Sequence, residues 1–375
     1  MANFITMIIS AFVLSKCLRL TALPQCSTDG IRGLAGCECK FIGACDVDET
    51  HRPGLNIAGH LPRGLNLYGY RESALLGRNL AYLCEGETVA ILFDCNSRIP
   101  LYAATVITGS QLNAADRGGR PQGVAGTFNQ QRSKLPEYFQ QSDADYTQAL
   151  NRKICYKHGR QEIIDNNWYK AKNLNALSSV NVNCDRRLAN EVRATIHRGH
   201  LIASQYGRGD QRKKEATFVF TNAVPQFGVF NSVPWNHCER KLIKWGQDNC
   251  ALQAMQSVRM FIVVVATPST FFGPSETRYF GQSGFSDYQH DKVFPANVPK
   301  EMWTAACCTF QYKDDGRAGT KSTAFWRENV PGKLPCEELK VNAMEERLKR
   351  MGITEINLFP FHGQCRDENN YVSLS

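Results

Sequence analysis

The hydrophobic residues of this chain are grouped in short apolar runs that polar and Gly-containing stretches separate. Two such runs lie in TVAILFDCNSRIPLYAATVITG (88–109), on either side of the turn residues DCNSRIP. Others are MFIVVVATPSTFFG (260–273), ATFVFTNAVPQ, VPKEMWTAACCTFQY and STAFWRENVP. Apolar runs of this length, rich in β-branched and aromatic residues, predict buried strands. The polar, Gln- and Gly-rich residues that follow 109, as far as 146, predict a long surface excursion rather than core.

Two later stretches have a helical period. The first, NSVPWNHCERKLIKWGQDNCALQAM (231–255), repeats its apolar residues at spacings of three, four and three: Trp235, Cys238, Leu242 and Trp245. Asn231 stands at the predicted N-cap, with Pro234 in the first turn. The second, CEELKVNAMEERLKRMG (336–352), is a charged helix that should end at Gly352. Strands interleaved with a few helices, without a regular βαβ rhythm, predict an α+β fold.

The N-terminal residues predict a secreted protein. Residues 1–22 begin with the uncharged run MANFITMIISAFVLS, which has signal-peptide length and is too short to span a bilayer; a buried strand is the alternative. Of 15 cysteines one is Cys17, so removing the leader leaves an even number, as disulfide pairing requires. Zinc is the rival explanation, but the sequence has no CxxC pair. We expect an extracellular protein with no membrane association once the signal is removed. Its regions are a Cys- and Gly-rich stretch at 23–81, a main domain at 82–365 and a tail at 366–375.

Positive charge is concentrated in the middle of the chain. The formal net charge is +9. Between Cys184 and Trp245, eleven Lys or Arg stand against five Asp or Glu, an excess of six positive charges. A solvated basic face is one explanation, whereas a basic field around a histidine-rich motif suits a polyanionic substrate such as nucleic acid.

The motif at the centre of this field is TIHRGHLIAS (195–204). Its two histidines are candidates for a metal clamp, an acid/base pair or polar turn residues. Hydrolysis of a phosphodiester needs a base, a cation and a means of stabilising the leaving oxygen. His200 can supply the base, and Gly199 beside it would let substrate or water approach closely. Asn231 and Glu239 offer the oxygen ligands that Mg²⁺ prefers.

The spacing of these residues decides which of them could share an ion. On a helix, Asn231 and Glu239 would lie about 12 Å apart along the axis and about 80° apart around it, which favours one direct ligand and one acting through water. A zinc site built from His197, His200 and His237 is the alternative. Residues i and i+3 of a strand point to opposite faces, however, which argues against that site.

The sequence HRGHLIAS, followed by TFVFTNAVPQFGVFNSVPWNHCERKLIKW, resembles the core of the DNA/RNA non-specific endonucleases, the ββα-metal family. The family pattern is Asp-Arg-Gly-His, then an Asn about thirty residues later at the start of a helix, then Trp and Glu. Four residues fall on that spacing: His200, Asn231, Trp235 and Glu239. The looser resemblance extends from about Tyr82 to Phe361. It implies a ββα-metal (His-Me finger) nuclease fold with a central antiparallel sheet.

The resemblance also implies roles for individual residues. His200 corresponds to the general base, Asn231 to the direct metal ligand and Glu239 to a carboxylate acting through water. Arg198 matches the arginine that helps to hold the scissile phosphate. Asn222 and Gln226 match positions that line the substrate cleft. Arg240 and His197 are further candidates for contact with substrate, and the resemblance assigns no definite role to His197. The cofactor implied is Mg²⁺, with Mn²⁺ as an alternative, and the substrates are DNA and RNA.

One position departs from the family pattern, because His197 stands where the family usually has Asp. A neutral imidazole can accept a hydrogen bond but adds no negative charge near an ion. We therefore expect an altered pH dependence and metal affinity. Two functions follow as alternatives: a secreted, metal-dependent endonuclease of little sequence specificity, or a non-catalytic extracellular protein that keeps the nuclease fold and binds nucleic acid or matrix.

Overall fold

The structure is a computed structural model. It describes residues 80–114 except 96, single residues and short stretches between 128 and 146, then 196–269, 279–280, 296–330, 334–350, 357–359 and 362–374. The predicted signal peptide at 1–22, nearly all of the 23–81 region, His290 and Gly352 lie outside these residues. In the part of the chain described, no helix is long and apolar enough to cross a membrane.

A seven-stranded antiparallel sheet forms the centre of the fold, in the order β1-β2-β3-β6-β9-β10-β11. The strands predicted from TVAILFDCNSRIPLYAATVITG are β2 and β3, which pair from Ala90↔Ala104 to Asp94↔Ile99. The long apolar runs form the central pair, β6 and β9. The strands of this sheet are β1 Leu80–Glu85, β2 Val89–Asp94, β3 Ile99–Thr108, β6 Met255–Pro268, β9 Pro299–Tyr312, β10 Ala318–Glu328 and β11 Glu337–Leu339. An antiparallel sheet with few helices confirms the predicted α+β class.

Both faces of the sheet are covered, because neighbouring residues of its strands are buried in two different cores. Ile91 and Val264 belong to one hydrophobic cluster, whereas Leu92 and Val263 belong to the other. This is the period-two alternation of a strand, with both sets of side chains apolar. Helix α5 (Val341–Arg350) packs on the second face. The elements that carry the candidate site pack on the first.

The site elements are a two-stranded ribbon and a helical run. Strand β4 (Ile196–His200) pairs antiparallel with β5 (Ala223–Phe227). The chain between them forms 3-10 turns and the short helix α2, and the chain after β5 is continuously helical. These elements are the turn Ser204–Gly207, α2 Gln211–Ala216, the turn Phe220–Asn222, α3 Gly228–Phe230, a π-helical turn Asn231–Trp235 and α4 Asn236–Asn249; α1 is Gly109–Asn113, and β7 Tyr279–Phe280 pairs with β8 Ala296–Asn297.

Disulfides join both layers to the sheet. Cys307 and Cys308 are neighbours on β9, and their side chains enter different cores. Cys307 is bonded to Cys365 and Cys308 to Cys250. A third disulfide, between Cys238 and Cys336, joins α4 to the residues just before β11. These pairs support the disulfide interpretation of the cysteines over zinc.

Two predicted elements have different limits. Residues 337–339, predicted as helix, pair with β10 as strand β11, because main-chain bonds at the sheet edge override the local helical propensity. Of ATFVFTNAVPQ, only Ala223–Gln226 is strand. The residues predicted as a tail also belong to the fold, since Val372 O accepts a hydrogen bond of 3.0 Å from Trp245 Nε1 and Leu374 is buried.

The predicted surface excursion after 109 is wrong for several of its residues. Phe128, Leu135 and Tyr146 are buried in the first core. Gln141 is also buried, and its Nε2 donates to Ala223 O at 3.1 Å. The polar composition of this stretch concealed its contribution, because its amides form hydrogen bonds inside the protein instead of to water.

Candidate active site

Strand β4 places the side chains of His197 and His200 on opposite faces. Strand side chains alternate between faces, so Arg198 and His200 share one face and His197 lies on the other, across from Gln226. The two imidazoles therefore cannot hold one ion together, which agrees with the sequence argument against a zinc site. His237 is exposed on α4. Among the residues that the structure describes, no three His, Cys, Asp or Glu side chains are grouped as metal ligands.

Gly199 is required by Gln226 rather than by substrate. A Cβ added to Gly199 would lie 2.1 Å from Cδ of Gln226, well inside van der Waals contact. The predicted role of Gly199, to let substrate or water approach, is therefore wrong. Gln226 is buried, and its Nε2 donates to His200 O at 3.4 Å and contacts Met302 Sδ at 3.0 Å. It supports the strand beneath the candidate base, and its contact with substrate stays a prediction.

Asn222 holds the loop that follows His200. Its Oδ1 accepts from Ile202 N at 2.9 Å, and its Nδ2 donates to Ile202 O at 3.0 Å and to Thr217 O at 2.9 Å. The side chain is fully buried. With both amide protons and the carbonyl oxygen engaged by backbone, Asn222 fixes where β4 ends, and its predicted contact with substrate also stays a prediction.

His200 lies between aromatic rings. Its ring centroid is 4.6 Å from that of Phe128 and 4.7 Å from that of Phe218, which meets it edge-on. Burial lowers the pKa of His200 to about 3, because the charged imidazolium is poorly solvated there. Its Nε2 is buried and has no hydrogen-bond partner within the described part of the chain. A neutral imidazole with an unsatisfied nitrogen is suited to accept or donate one proton.

Arg198 is already engaged by an acid. Its guanidinium forms an ion pair with Asp143 and lies 5.9 Å from the centre of the Tyr146 ring. Arg198 remains 30% exposed and Asp143 50% exposed. An anion such as phosphate would have to compete with the Asp143 carboxylate for this guanidinium.

Asn231 lies inside a helical run, not at its start. The run begins at Gly228, and Asn231 opens the π-helical turn that precedes α4, so the predicted N-cap is wrong. Because a π-helical turn holds more residues than an α-helical turn, the 80° offset expected between Asn231 and Glu239 does not apply. The Asn231 amide is half-buried and makes no side-chain hydrogen bond to the residues described. Its oxygen is therefore available to a ligand.

Glu239 is the buried carboxylate of the helical run. It is 8% exposed, and its Oε2 accepts from Gln205 Nε2 at 3.4 Å. Burial raises the pKa of Glu239 to about 8, and side-chain hydrogen bonds from Gln205 and Trp235 oppose this rise. Burial and the nearby charge of Glu239 together raise the pKa of the Tyr206 hydroxyl, which indicates that Tyr206 lies close to Glu239. Arg240, the next residue, is exposed, and its Nε donates to Asn236 Oδ1 at 2.6 Å.

His200 Nε2 and Tyr206 OH are buried and have no hydrogen-bond partner among the described residues, whereas Gln226 Oε1, which also lacks one, belongs to the opposite face of the β4–β5 ribbon. A buried polar atom without a hydrogen bond costs about 1–3 kcal/mol, so a polar ligand beside His200 or Tyr206 would offset that cost. The amide oxygen of Asn231 and the carboxylate of Glu239 are hard oxygen donors, which suit Mg²⁺ or Mn²⁺ better than zinc, whose usual ligands are nitrogen and sulfur. These residues are thus chemically compatible with a divalent cation and its waters.

Comparison with known proteins identifies the fold that carries these residues. The sequence profile described as DNA/RNA non-specific endonuclease matches residues 77–354, well over half of the chain. The chain belongs to this endonuclease family. The resemblance found in the HRGH motif and the following helix is therefore confirmed at the level of the family, and the protein is a nuclease.

Other comparisons add less to the description of this endonuclease. No curated protein sequence matches it. A solved structure of the EndoG/EndoGI complex, titled for the mechanism of EndoG inhibition, aligns with 14% sequence identity and a TM-score of 0.42. The alignment covers 72% of this chain and 84% of that chain.

Sequence reasoning missed four residues that surround the endonuclease site. Phe128 and Asp143 come from the stretch predicted as surface, where their neighbours are polar. Gln205 and Tyr206 follow the motif directly but match no residue pattern. Only their contacts with His200, Arg198 and Glu239 reveal them.

Proposed function

We propose that this endonuclease hydrolyses the phosphodiester bonds of DNA and RNA with a divalent cation, Mg²⁺ or Mn²⁺, and with little sequence specificity. The observation that carries the proposal is the pairing of His200 and Arg198 on one face of β4, with His200 Nε2 buried and unsatisfied. Because the two side chains are two residues apart on one strand, the base could contact the attacking water while the guanidinium contacts the phosphate of the same nucleotide.

The proposed roles follow from each side chain's chemistry. Burial keeps His200 neutral throughout the physiological range, so the nitrogen lone pair is unprotonated, and we assign this nitrogen the role of general base. Arg198 would release the Asp143 carboxylate and bind the scissile phosphate in its place. Asn231 would hold the cation through its amide oxygen, and Glu239 would act through water. When bound, Mg²⁺ would supply positive charge against the negative charge that builds up on phosphate oxygens. This is the ββα-metal arrangement that the resemblance implies.

The experiment is cleavage by purified protein. We expect it to nick plasmid and degrade RNA with Mg²⁺, to stop in EDTA, and to lose at least about a hundredfold in rate on His200→Ala. His237→Ala, an exposed histidine on α4, is the matched control and should cleave normally. Circular dichroism should show both variants folded. Cleavage retained by folded His200→Ala contradicts the mechanism.

One observation favours the non-catalytic alternative: both side chains on the Arg198 and His200 face of β4 already contact other residues. Phe128 covers His200, and Asp143 neutralises Arg198. His197, at the family's Asp position, is half-buried, and burial lowers its pKa, so it carries no compensating charge. If wild type is inert and His197→Asp cleaves, the alternative holds. If wild type cleaves and His197→Asp only shifts the metal or pH optimum, the enzyme stands.

We also propose that the protein is secreted. Three disulfides among the described cysteines support an oxidising compartment. The predicted leader at 1–22 and the boundary near 82 remain proposals. Expression in insect or mammalian cells, followed by N-terminal sequencing of protein from the medium, tests secretion and the leader; full-length protein retained inside the cells contradicts both.

A further inference from the structure

The turn that follows β4 contacts the helix that carries Glu239. Strand β4 ends at His200, and the 3-10 turn Ser204–Gly207 begins four residues later. From this turn, Gln205 Nε2 donates to Glu239 Oε2 at 3.4 Å. The hydrogen bond therefore links the segment of the candidate base directly to the segment of the candidate metal site, 34 residues apart in sequence.

The turn is a firm support for this contact. Tyr206 N donates to Ala203 O at 2.9 Å, and the Tyr206 ring is buried. A Cβ added to Gly207 would lie 2.6 Å from the Cα of Lys214, so helix α2 packs directly on the turn backbone. The buried packing of the Tyr206 ring and the contact with helix α2 therefore hold the turn in place. Gln205 is itself half-buried, so its amide reaches Glu239 from a fixed backbone position.

The chemistry of the pair is directional. In its ionised form, Glu239 can meet a glutamine amide only through the NH₂ group of that amide, and its two carboxylate oxygens are otherwise equivalent on a rotatable side chain. By engaging Oε2, Gln205 acts together with Trp235 to restrict the rotation of Glu239. The outer hydrogen bonds of carboxylates around metal sites orient them in this way, and losing such a bond typically weakens metal binding tenfold to a hundredfold.

We propose that Gln205 is a positioning residue for Glu239, fixing the carboxylate relative to the strand that ends in His200. The inference rests on the proposed metal-dependent function, which assigns Glu239 to the cation's environment. Gln205 contacts neither the cation nor the substrate. Its contribution is to metal affinity and to the geometry of Glu239, rather than to binding of nucleic acid.

The test replaces Gln205 by methionine, which keeps the length of the side chain and removes the donor. The chain offers a matched control: Gln211 Nε2 donates to Glu215 Oε1 at 2.8 Å on the exposed surface of α2, so Gln211→Met removes the same kind of bond away from the site. Two readouts are needed. One is the rise in Tm that Mn²⁺ causes in protein without substrate, and the other is the Mg²⁺ concentration for half-maximal plasmid cleavage.

We expect Gln205→Met to raise the half-saturating Mg²⁺ concentration about tenfold and to reduce the Mn²⁺-induced rise in Tm. The KM for plasmid should stay near wild type, and Gln211→Met should match wild type throughout. If Gln205→Met does not fold, Gln205→Asn, which keeps the amide but is one methylene shorter, should show the same metal dependence in weaker form.

Two results would overturn the inference. One is an unchanged Mg²⁺ requirement and Mn²⁺ response in the folded Gln205 variant. The other is a loss of metal-free Tm together with activity at an unchanged Mg²⁺ requirement, which would make the residue merely structural. Failure of the proposed function has a different signature, because wild type itself would then show neither metal-dependent cleavage nor a Mn²⁺-induced rise in Tm.

Discussion

The β4–β5 ribbon and the helical run 228–249 hold their functional side chains in different ways. On the ribbon, His200 is enclosed by Phe128 and Phe218, and Arg198 is paired with an acid. On the helical run, Asn231 makes no side-chain hydrogen bond to the described residues. The ribbon thus offers groups that a ligand must compete for, whereas the helical run offers an amide oxygen that is already available. Substrate binding would therefore require Arg198 and His200 on the ribbon to exchange their present contacts, whereas the Asn231 amide has no hydrogen bond to the described residues to exchange.

The two regions also differ in how they are anchored. The ribbon is held by hydrogen bonds, among them those of the Asn222, Gln226 and Asn329 side chains. The helical run is fixed covalently, because Cys238 is adjacent to Glu239 and is bonded to Cys336. Four sets of variants test this contrast between the ribbon and the helical run.

Removing the covalent anchor should have the largest effect. The Cys238–Cys336 bond spans 98 residues, and loss of a disulfide that closes such a loop costs about 4.7 kcal/mol in the chain-entropy treatment. We expect the double change Cys238→Ser and Cys336→Ser to lower the free energy of unfolding by that order, measured in urea without reductant. An unchanged midpoint would mean that helix packing and the Cys250–Cys308 disulfide anchor Glu239 without the Cys238–Cys336 bond.

Removing the available amide should abolish most activity without unfolding the protein. We expect Asn231→Ala to slow Mg²⁺-dependent plasmid cleavage at least about a hundredfold, equivalent to about 2.7 kcal/mol. The matched control is Asn236→Ala, which removes an amide from the same helical run that already accepts from Arg240. Equal losses in the two variants would show that Asn231 acts through helix stability and not through the cation.

The enclosed imidazole should make the metal-free protein sensitive to acid. The folded pKa of His200, about 3, lies below the unfolded value of 6.5, so the unfolded chain binds the proton first as pH falls. Stability is therefore retained above pH 6.5 and lost below it, by about 1.4 kcal/mol per pH unit until the folded pKa is reached.

Urea unfolding at pH 7 and pH 5 measures this loss. Between these values we expect about 2 kcal/mol more loss in wild type than in His200→Gln, whose side chain does not titrate. His237→Gln, changed at an exposed histidine, should behave as wild type. If His200→Gln loses as much stability as wild type, the imidazole is accessible to water in the folded protein.

Releasing Arg198 should have the smallest effect. Asp143→Asn removes the competing carboxylate, so we expect the KM for nucleic acid to fall about threefold to tenfold at low salt, and the difference to shrink as salt rises. Asp248→Asn breaks the exposed pair with Lys244 on α4 and is the control. A higher KM in Asp143→Asn would instead assign Asp143 to holding Arg198 in its binding position.

The regular parts of this molecule could be predicted because their patterns are local. The two apolar runs that form β2 and β3, and the long apolar run that forms β6, can be read from consecutive residues. His200, Asn231 and Glu239 were found because their spacing follows a family pattern. The opposite orientation of His197 and His200 followed from strand geometry alone.

The parts that were missed depend on contacts between distant segments. Asn231 looked like a helix cap, but Gly228–Phe230 had already begun the helical run. Gly199 looked like an opening for substrate, but Gln226 fills the space. Phe128 and Asp143 lie in a polar stretch, and neither periodicity nor composition indicates that they meet His200 and Arg198.

The adjacent cysteines of β9 give the chain an unusual response to mechanical force. Cys250 is bonded to Cys308 and Cys307 to Cys365, and Cys307 and Cys308 share one peptide bond. Tension applied at the two ends would therefore pass from residue 250 to residue 365 through two disulfides and a single peptide link. Residues 251–306 and 309–364 lie outside this load path, so pulling would extend the chain on either side while both loops stayed slack until the disulfides were reduced.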